Sequence, residues 1–134
     1  MKSRVFCAAL DELHEMLQWI RSEAAQMGFG PSDLYRIELA AEEAIVNVIH
    51  HSYSKRGGEI GIGIQSQPHA MQIEITDSGQ PFNPLEQKPK QAGATLEERE
   101  EGGLGIVFIE KCMDQISYER KNNRNVLTLT KNRK

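Results

Sequence analysis

Glu43 and Asn47 stand four residues apart in the string Glu43-Ala44-Ile45-Val46-Asn47. That spacing places a carboxylate and a carboxamide on one face of a helix, beside an apolar stripe. An Asn oxygen is a hard neutral ligand suited to Mg²⁺, and a Glu one turn away can take the proton of an attacking hydroxyl as a phosphoryl group moves. His50 and His51 follow about one turn later. Taken alone, two polar residues on a helix are more often a solvated face than a site.

Asp77-Ser78-Gly79 comes at the end of an alternating apolar run. There a loop carboxylate can accept from an exocyclic amine, and a glycine lets a ring approach the backbone. By itself such a triplet is commonly just a turn. Glu101-Gly102-Gly103-Leu104-Gly105-Ile106 opens a helical pattern, so backbone N–H groups and the positive helix end can hold phosphate oxygens; a flexible start to a helix is the plainer alternative. The chain has no G-x-x-x-x-G-K-[ST], no full G-x-G-x-x-G and no H-R-D or D-F-G set, so phosphates must be held in some other way.

The elements that must position these groups follow from hydrophobic period. After a short strand over 4–8, Leu10, Leu13, Leu17, Ile20, Ala24 and Met27 recur at helical steps, and Gly28 and Gly30 end the helix. Pro31-Ser32-Asp33 starts a second helix whose stripe is Leu34, Ile37, Ala41, Ala44, Ile45 and Val48, running toward Tyr53. Residues 59–65 and 71–75 alternate as a hairpin around Gln67-Pro68-His69. From 78 to 102 there is no sustained period, only turn formers and a charged run in which Thr95 and Glu98 can make a capping box. A third helix over 103–113, with Ile106, Ile109 and Met113 inward, leads into a closing hairpin over Asn122-Asn123. Helices and antiparallel strands segregated in this way give an α+β domain, one sheet with a helical layer on one face.

With 134 residues there is room for one two-layer core, so a single domain is expected over 1–134. Charged residues make up 26% and the net charge is −3, which gives no general pull toward nucleic acid. Cys7 and Cys112 have no partner at ligand spacing, and both are expected reduced in the core. No apolar run reaches the ~20 residues that span a bilayer, and the start turns acidic early, so the expectation is a cytoplasmic protein without a membrane partner. Trp19 on the flank of the first helix is expected to pack rather than bind.

Polar helix, strand end, long loop and helix start, in that order, are far more specific together than singly. Over nearly its whole length the chain resembles the GHKL, or Bergerat-fold, ATPase superfamily, and within it the anti-sigma-factor serine/threonine-protein kinases. The resemblance implies a two-layer α/β sandwich with a mixed, mainly antiparallel sheet covered on one face by about three helices, and a lid over ATP at about 84–102. It makes Glu43 the general base and Asn47 the Mg²⁺ ligand in an N box continuing through His50, His51 and Tyr53. It makes Asp77 the acceptor of the adenine amino group in a first glycine box that reads Asp77-Ser78-Gly79-Gln80-Pro81-Phe82, with Pro81 where many members have glycine. Gly102, Gly103, Leu104 and Gly105 match the second glycine box. His50 stands where lysine is common, and Asn125-Val126 stands where a Gly-Thr pair often supplies a threonine to adenine, leaving Thr128 or Thr130 as substitutes.

The activity so implied is ATP-dependent phosphorylation of a serine or threonine on an anti-sigma-factor antagonist. The same domain would sequester a sigma factor in one partner state, as a homodimer. Two other readings share the fold. The catalytic half of a histidine kinase normally needs a phosphoacceptor-His helix hairpin, for which nothing before residue 31 is long enough. A nucleotide-sensing or protein-binding regulator would keep the pocket and transfer nothing.

Overall fold

The computed structural model describes residues 1–53, 57–86 and 104–133. Strand β1 (Lys2–Cys7) leads through a 3₁₀ turn (Leu10–Glu12) into α1 (Leu13–Gln26) and α2 (Pro31–Asn47). Strands β2 (Glu59–Gln67) and β3 (Ala70–Asp77) form the first hairpin. A 3₁₀ turn (Pro84–Glu86) follows β3, and α3 (Leu104–Cys112) is followed by the hairpin β4 (Gln115–Lys121) and β5 (Arg124–Asn132). The five strands lie in the order β1-β2-β3-β5-β4. Among the described residues every pairing is antiparallel, with no parallel pair of the kind a mixed sheet would have. Among the described residues, no helix is long and apolar enough to cross a membrane.

Strand alternation explains which face is covered. Ile60, Ile62, Ile64, Met71, Ile73, Ile75, Leu127 and Leu129 are all buried on one side of the sheet. Against them lie Ile37, Ala41, Ala44 and Ile45 of α2, which has α1 and α3 as its helical neighbours. The alanines let the helix backbone sit close to the sheet, while each buried isoleucine contributes about 1.5–3 kcal/mol. Lys131 is buried, and its Nζ donates to Cys112 O at 2.7 Å and lies 3.8 Å from Asp33. It therefore caps the negative C-terminal end of α3 and ties both helices to β5.

Three sequence expectations change. Leu10 falls in the 3₁₀ turn and is 55% exposed, so the inward stripe of α1 begins later, with Met16, Leu17, Ile20 and Ala24 buried. Cys112 is buried but Cys7 is exposed, and both are free. The α-helical run does not continue to Tyr53: Val48–Ser52 is a π-helical turn closed by Tyr53 N donating to Val48 O at 3.1 Å. Gly28 (φ +95°) ends α1 and Trp19 packs tilted on Phe6, both as expected. At the other end, Asn122 and Asn123 take the positive φ values of a two-residue hairpin turn.

Candidate nucleotide site

The polar residues gather where α2 ends over the end of β3. A π-helical turn closes its hydrogen bond one residue later than an α-helix does. At Val48–Ser52 this leaves Ser52 buried, at 3% exposure, and on the lining of a small cavity. Asn47, Val48, Ile75, Asp77, Phe82, Tyr118, Asn125 and Leu127 are among the other lining residues. Its open space is about 10 Å³, room for about one water molecule.

Asp77, the last residue of β3, is buried. Gly79 N and Asn125 Nδ2 both donate to its Oδ1 at 2.9 Å. Burial pushes its carboxyl above the ordinary value, while hydrogen bonds from Asn125, Gly79 and Ser52 and the Arg120 charge pull the other way. Register accounts for Asn125: it pairs directly with Asp77 across β3 and β5. Its carboxamide also donates to Gln80 O at 2.8 Å and accepts from Phe82 N at 3.1 Å and from the Tyr118 hydroxyl. Arg120 Nη1 donates to Gly79 O at 2.9 Å, so the 78–82 loop is held from two strands.

On α2, Asn47 is half-buried on the cavity wall. Glu43 is half-buried one turn earlier on the same face, outside the lining itself. Burial and then the Glu42 charge raise the Glu43 carboxyl, a direction that suits a group meant to receive a proton. His50 is exposed. The His51 ring stacks on Phe82, centroids 4.7 Å apart, and its carbonyl accepts from Gln80 Nε2 at 2.7 Å. Burial, then the neighbouring His50, lower the His51 imidazole. Pro81 is exposed on the same loop.

The structure thus brings together Asn47, His51, Asp77, Gly79 and Phe82, with Glu43 one helical turn away. Thr130 does not join them. Leu127 and Leu129 face the helices, so Thr128 and Thr130, at alternate positions, lie on the far side of the sheet from Asp77. Asn125 is the β5 side chain that reaches the carboxylate. Leu104 opens α3 and Gly105 follows it; Gly102, Gly103, Thr95, Glu98 and the lid beyond Glu86 lie outside the described residues. Ser52, Tyr118 and Asn125 are cavity residues that helical and strand periods alone did not single out.

Known proteins agree with this architecture. Residues 6–131 match the family profile described as histidine kinase-like ATPase domain. The serine-protein kinase RsbW of Halalkalibacterium halodurans is 30% identical over 112 residues, spanning 81% of this chain and 68% of that protein. The RsbU and RsbW domains of a Mycobacterium tuberculosis protein superpose with a TM-score of 0.63 at 16% identity, covering 100% of this chain and 34% of that one. The catalytic domain of the histidine kinase ThkA superposes at 0.55 with 18% identity, covering 98% and 97% of the two chains. These last two likenesses speak for the fold alone.

Proposed function

This chain belongs to the histidine kinase-like ATPase domain family, and we propose that it is an ATP-dependent serine/threonine protein kinase whose substrate is an anti-sigma-factor antagonist. The observation that carries the reading is the buried Asp77 carboxylate, facing the same cavity as Asn47 with Glu43 one turn away. Its support is the similarity to serine-protein kinase RsbW.

In this reading Asp77 accepts from the adenine amino group, and Ile75, Leu127 and Phe82 bury the ring. Asn47 fits the metal that accompanies ATP: Mg²⁺ takes one or two protein oxygens and fills its remaining positions with phosphates and water. When bound, Mg²⁺ neutralises the charge on the phosphates. Glu43, its carboxyl raised by burial, takes the proton of the incoming hydroxyl. Backbone N–H groups of the second glycine box, at Gly103 and Gly105, hold phosphate oxygens, and the segment at about 84–102 closes over them. A sigma factor is the second partner, bound when the antagonist has been phosphorylated and released, and the working unit is a homodimer in the cytoplasm.

The test is incubation of the protein with Mg-ATP and candidate antagonist proteins, followed by mass spectrometry for a phosphorylated serine or threonine. Transfer by the wild type and its loss in Asp77→Asn is the expected result. A wild type that binds ATP but modifies no partner points instead to a nucleotide-sensing regulator, and one that binds no nucleotide overturns the reading.

A further inference from the structure

We propose that Asn125 is a positioning residue that sets base specificity: its carboxamide holds Asp77 as a hydrogen-bond acceptor, so that a purine with a 6-amino group is taken in preference to one with a 6-oxo group. The inference rests on the nucleotide reading above and concerns which base that site admits.

Asn125 is buried at 4% exposure and both ends of its carboxamide are engaged. The nitrogen donates to Asp77 Oδ1 at 2.9 Å and to Gln80 O at 2.8 Å, and lies 3.4 Å from Ser52 Oγ. The oxygen accepts from Phe82 N at 3.1 Å and from the Tyr118 hydroxyl. Flipping the amide would set its oxygen against a carboxylate and a carbonyl, and its NH₂ against the Phe82 N–H. The network therefore fixes which end faces Asp77.

That orientation has a chemical consequence. A carboxylate is acceptor-only, whereas a carboxylic acid also offers one O–H. Burial pushes the Asp77 carboxyl up, and against it the two N–H groups directed at Oδ1, from Asn125 and Gly79, favour the ionised form and occupy that oxygen as an acceptor. The charged groups around it are Arg120 of β4, which holds Gly79 O, Glu59 of β2 and Arg124 of β5, which share an outer groove with Asp77, and His51 of the π-helical turn. Held as an acceptor, Asp77 receives the 6-amino group of adenine and meets the lone pairs of a 6-oxo group with its own. No threonine of β5 can do this work, since Thr128 and Thr130 face the other side of the sheet.

The experiment is calorimetric titration of the full chain with ATP and with inosine triphosphate, which differ at the 6-position, for wild type, Asn125→Asp and Asn125→Ser. Wild type should prefer ATP by on the order of 100-fold or more. In Asn125→Asp two adjacent carboxyls hold one proton between them, so Asp77 is no longer fixed as an acceptor, and the preference should fall to within about 5-fold. In Asn125→Ser a hydroxyl still donates, so both affinities drop while the preference stays within about 5-fold of wild type. A purely structural role would weaken both nucleotides alike in both variants.

Circular dichroism checks folding; if Asn125→Asp does not fold, Asn125→Ala, which has no donor, must lose the preference that Asn125→Ser keeps. An aspartate variant that retains the wild-type preference, a serine variant that loses it, or a wild type that binds both nucleotides alike overturns this inference while leaving the kinase reading in place. A wild type that binds neither nucleotide overturns both.

Discussion

Gly79 lies so close to Ser52 that a β-carbon on it would stand 2.3 Å from the Ser52 carbonyl oxygen. Gln80 N donates to that same oxygen at 2.8 Å. The loop that follows β3 and the π-helical turn that closes α2 are thus packed backbone on backbone. Movement of the helix that carries Glu43 and Asn47 must carry the Asp77 loop with it.

Replacing Gly79 by Ala therefore forces main chain apart, with no flexible side chain to yield. The expected cost is ~1–3 kcal/mol of stability, read as a lower Tm by calorimetry, together with weakened ATP binding as the loop lifts from Ser52. Gly61→Ala is the internal comparison, because a β-carbon there meets Thr76 at an ordinary 3.8 Å; it should leave both readouts near wild type. Equal losses in the two variants would show that the close approach at Gly79 is not what matters.

Glu43→Gln should separate chemistry from stability. Burial raises the Glu43 carboxyl, so the folded protein holds its proton more tightly than the unfolded chain does. The ionised form is the one that costs, and stability from this group is lost as pH rises through the folded value. The amide is free of that cost: Glu43→Gln should melt above wild type at pH 7, and the gap should close as pH falls into the carboxylate range. Over the same comparison phosphotransfer should fall by ~100-fold or more if Glu43 is the base, with ATP affinity retained. Full transfer by the variant would remove Glu43 from that role.

Much of this site could be read from residue order because α2 and β3 announce themselves by period. Ile37, Ala41, Ala44 and Ile45 mark one helical face, and Ile73 and Ile75 alternate up to Asp77, so the neighbours Glu43, Asn47 and Gly79 could be placed on a helix and a strand end. Asn125 was hidden because its role depends on register between β3 and β5, a non-local property that no local pattern encodes. Half of that signal was available: with Leu127 and Leu129 inward, alternation sends Thr128 and Thr130 outward. The π-helical turn was hidden for another reason. Nothing in the residue types of Val48, Ile49 and Ser52 distinguishes the two geometries, and only the Tyr53 to Val48 hydrogen bond reveals the wider turn.

The His51 and Phe82 stack should make stability depend on pH in the window just below neutrality. Burial and the neighbouring His50 lower the His51 imidazole from 6.5. The unfolded chain then binds the proton first, and the stability contributed by neutral His51 is lost as pH falls below about 6.5 and through the folded value. Urea unfolding at pH 7.5, 6.5 and 5.5 should show wild type losing more stability than His51→Phe, which keeps an uncharged ring against Phe82. Parallel curves for the two proteins would place the titration elsewhere.

Asn47→Ala tests the remaining wall of the cavity through the metal. A carboxamide oxygen offered from the end of α2 can add one ligand to an ion that the nucleotide already carries, but it cannot gather Mg²⁺ alone, because a single neutral oxygen competes poorly with water. The metal should therefore strengthen ATP binding to the wild type and add little to the variant, while affinities measured in EDTA stay within about 3-fold of each other, since the adenine contacts proposed for Asp77 are untouched. Calorimetry with and without Mg²⁺ gives all four values. A variant that keeps the full Mg²⁺ gain would assign the metal to the phosphates and water alone, and one that loses ATP in EDTA as well would make Asn47 a support of the pocket wall rather than a ligand.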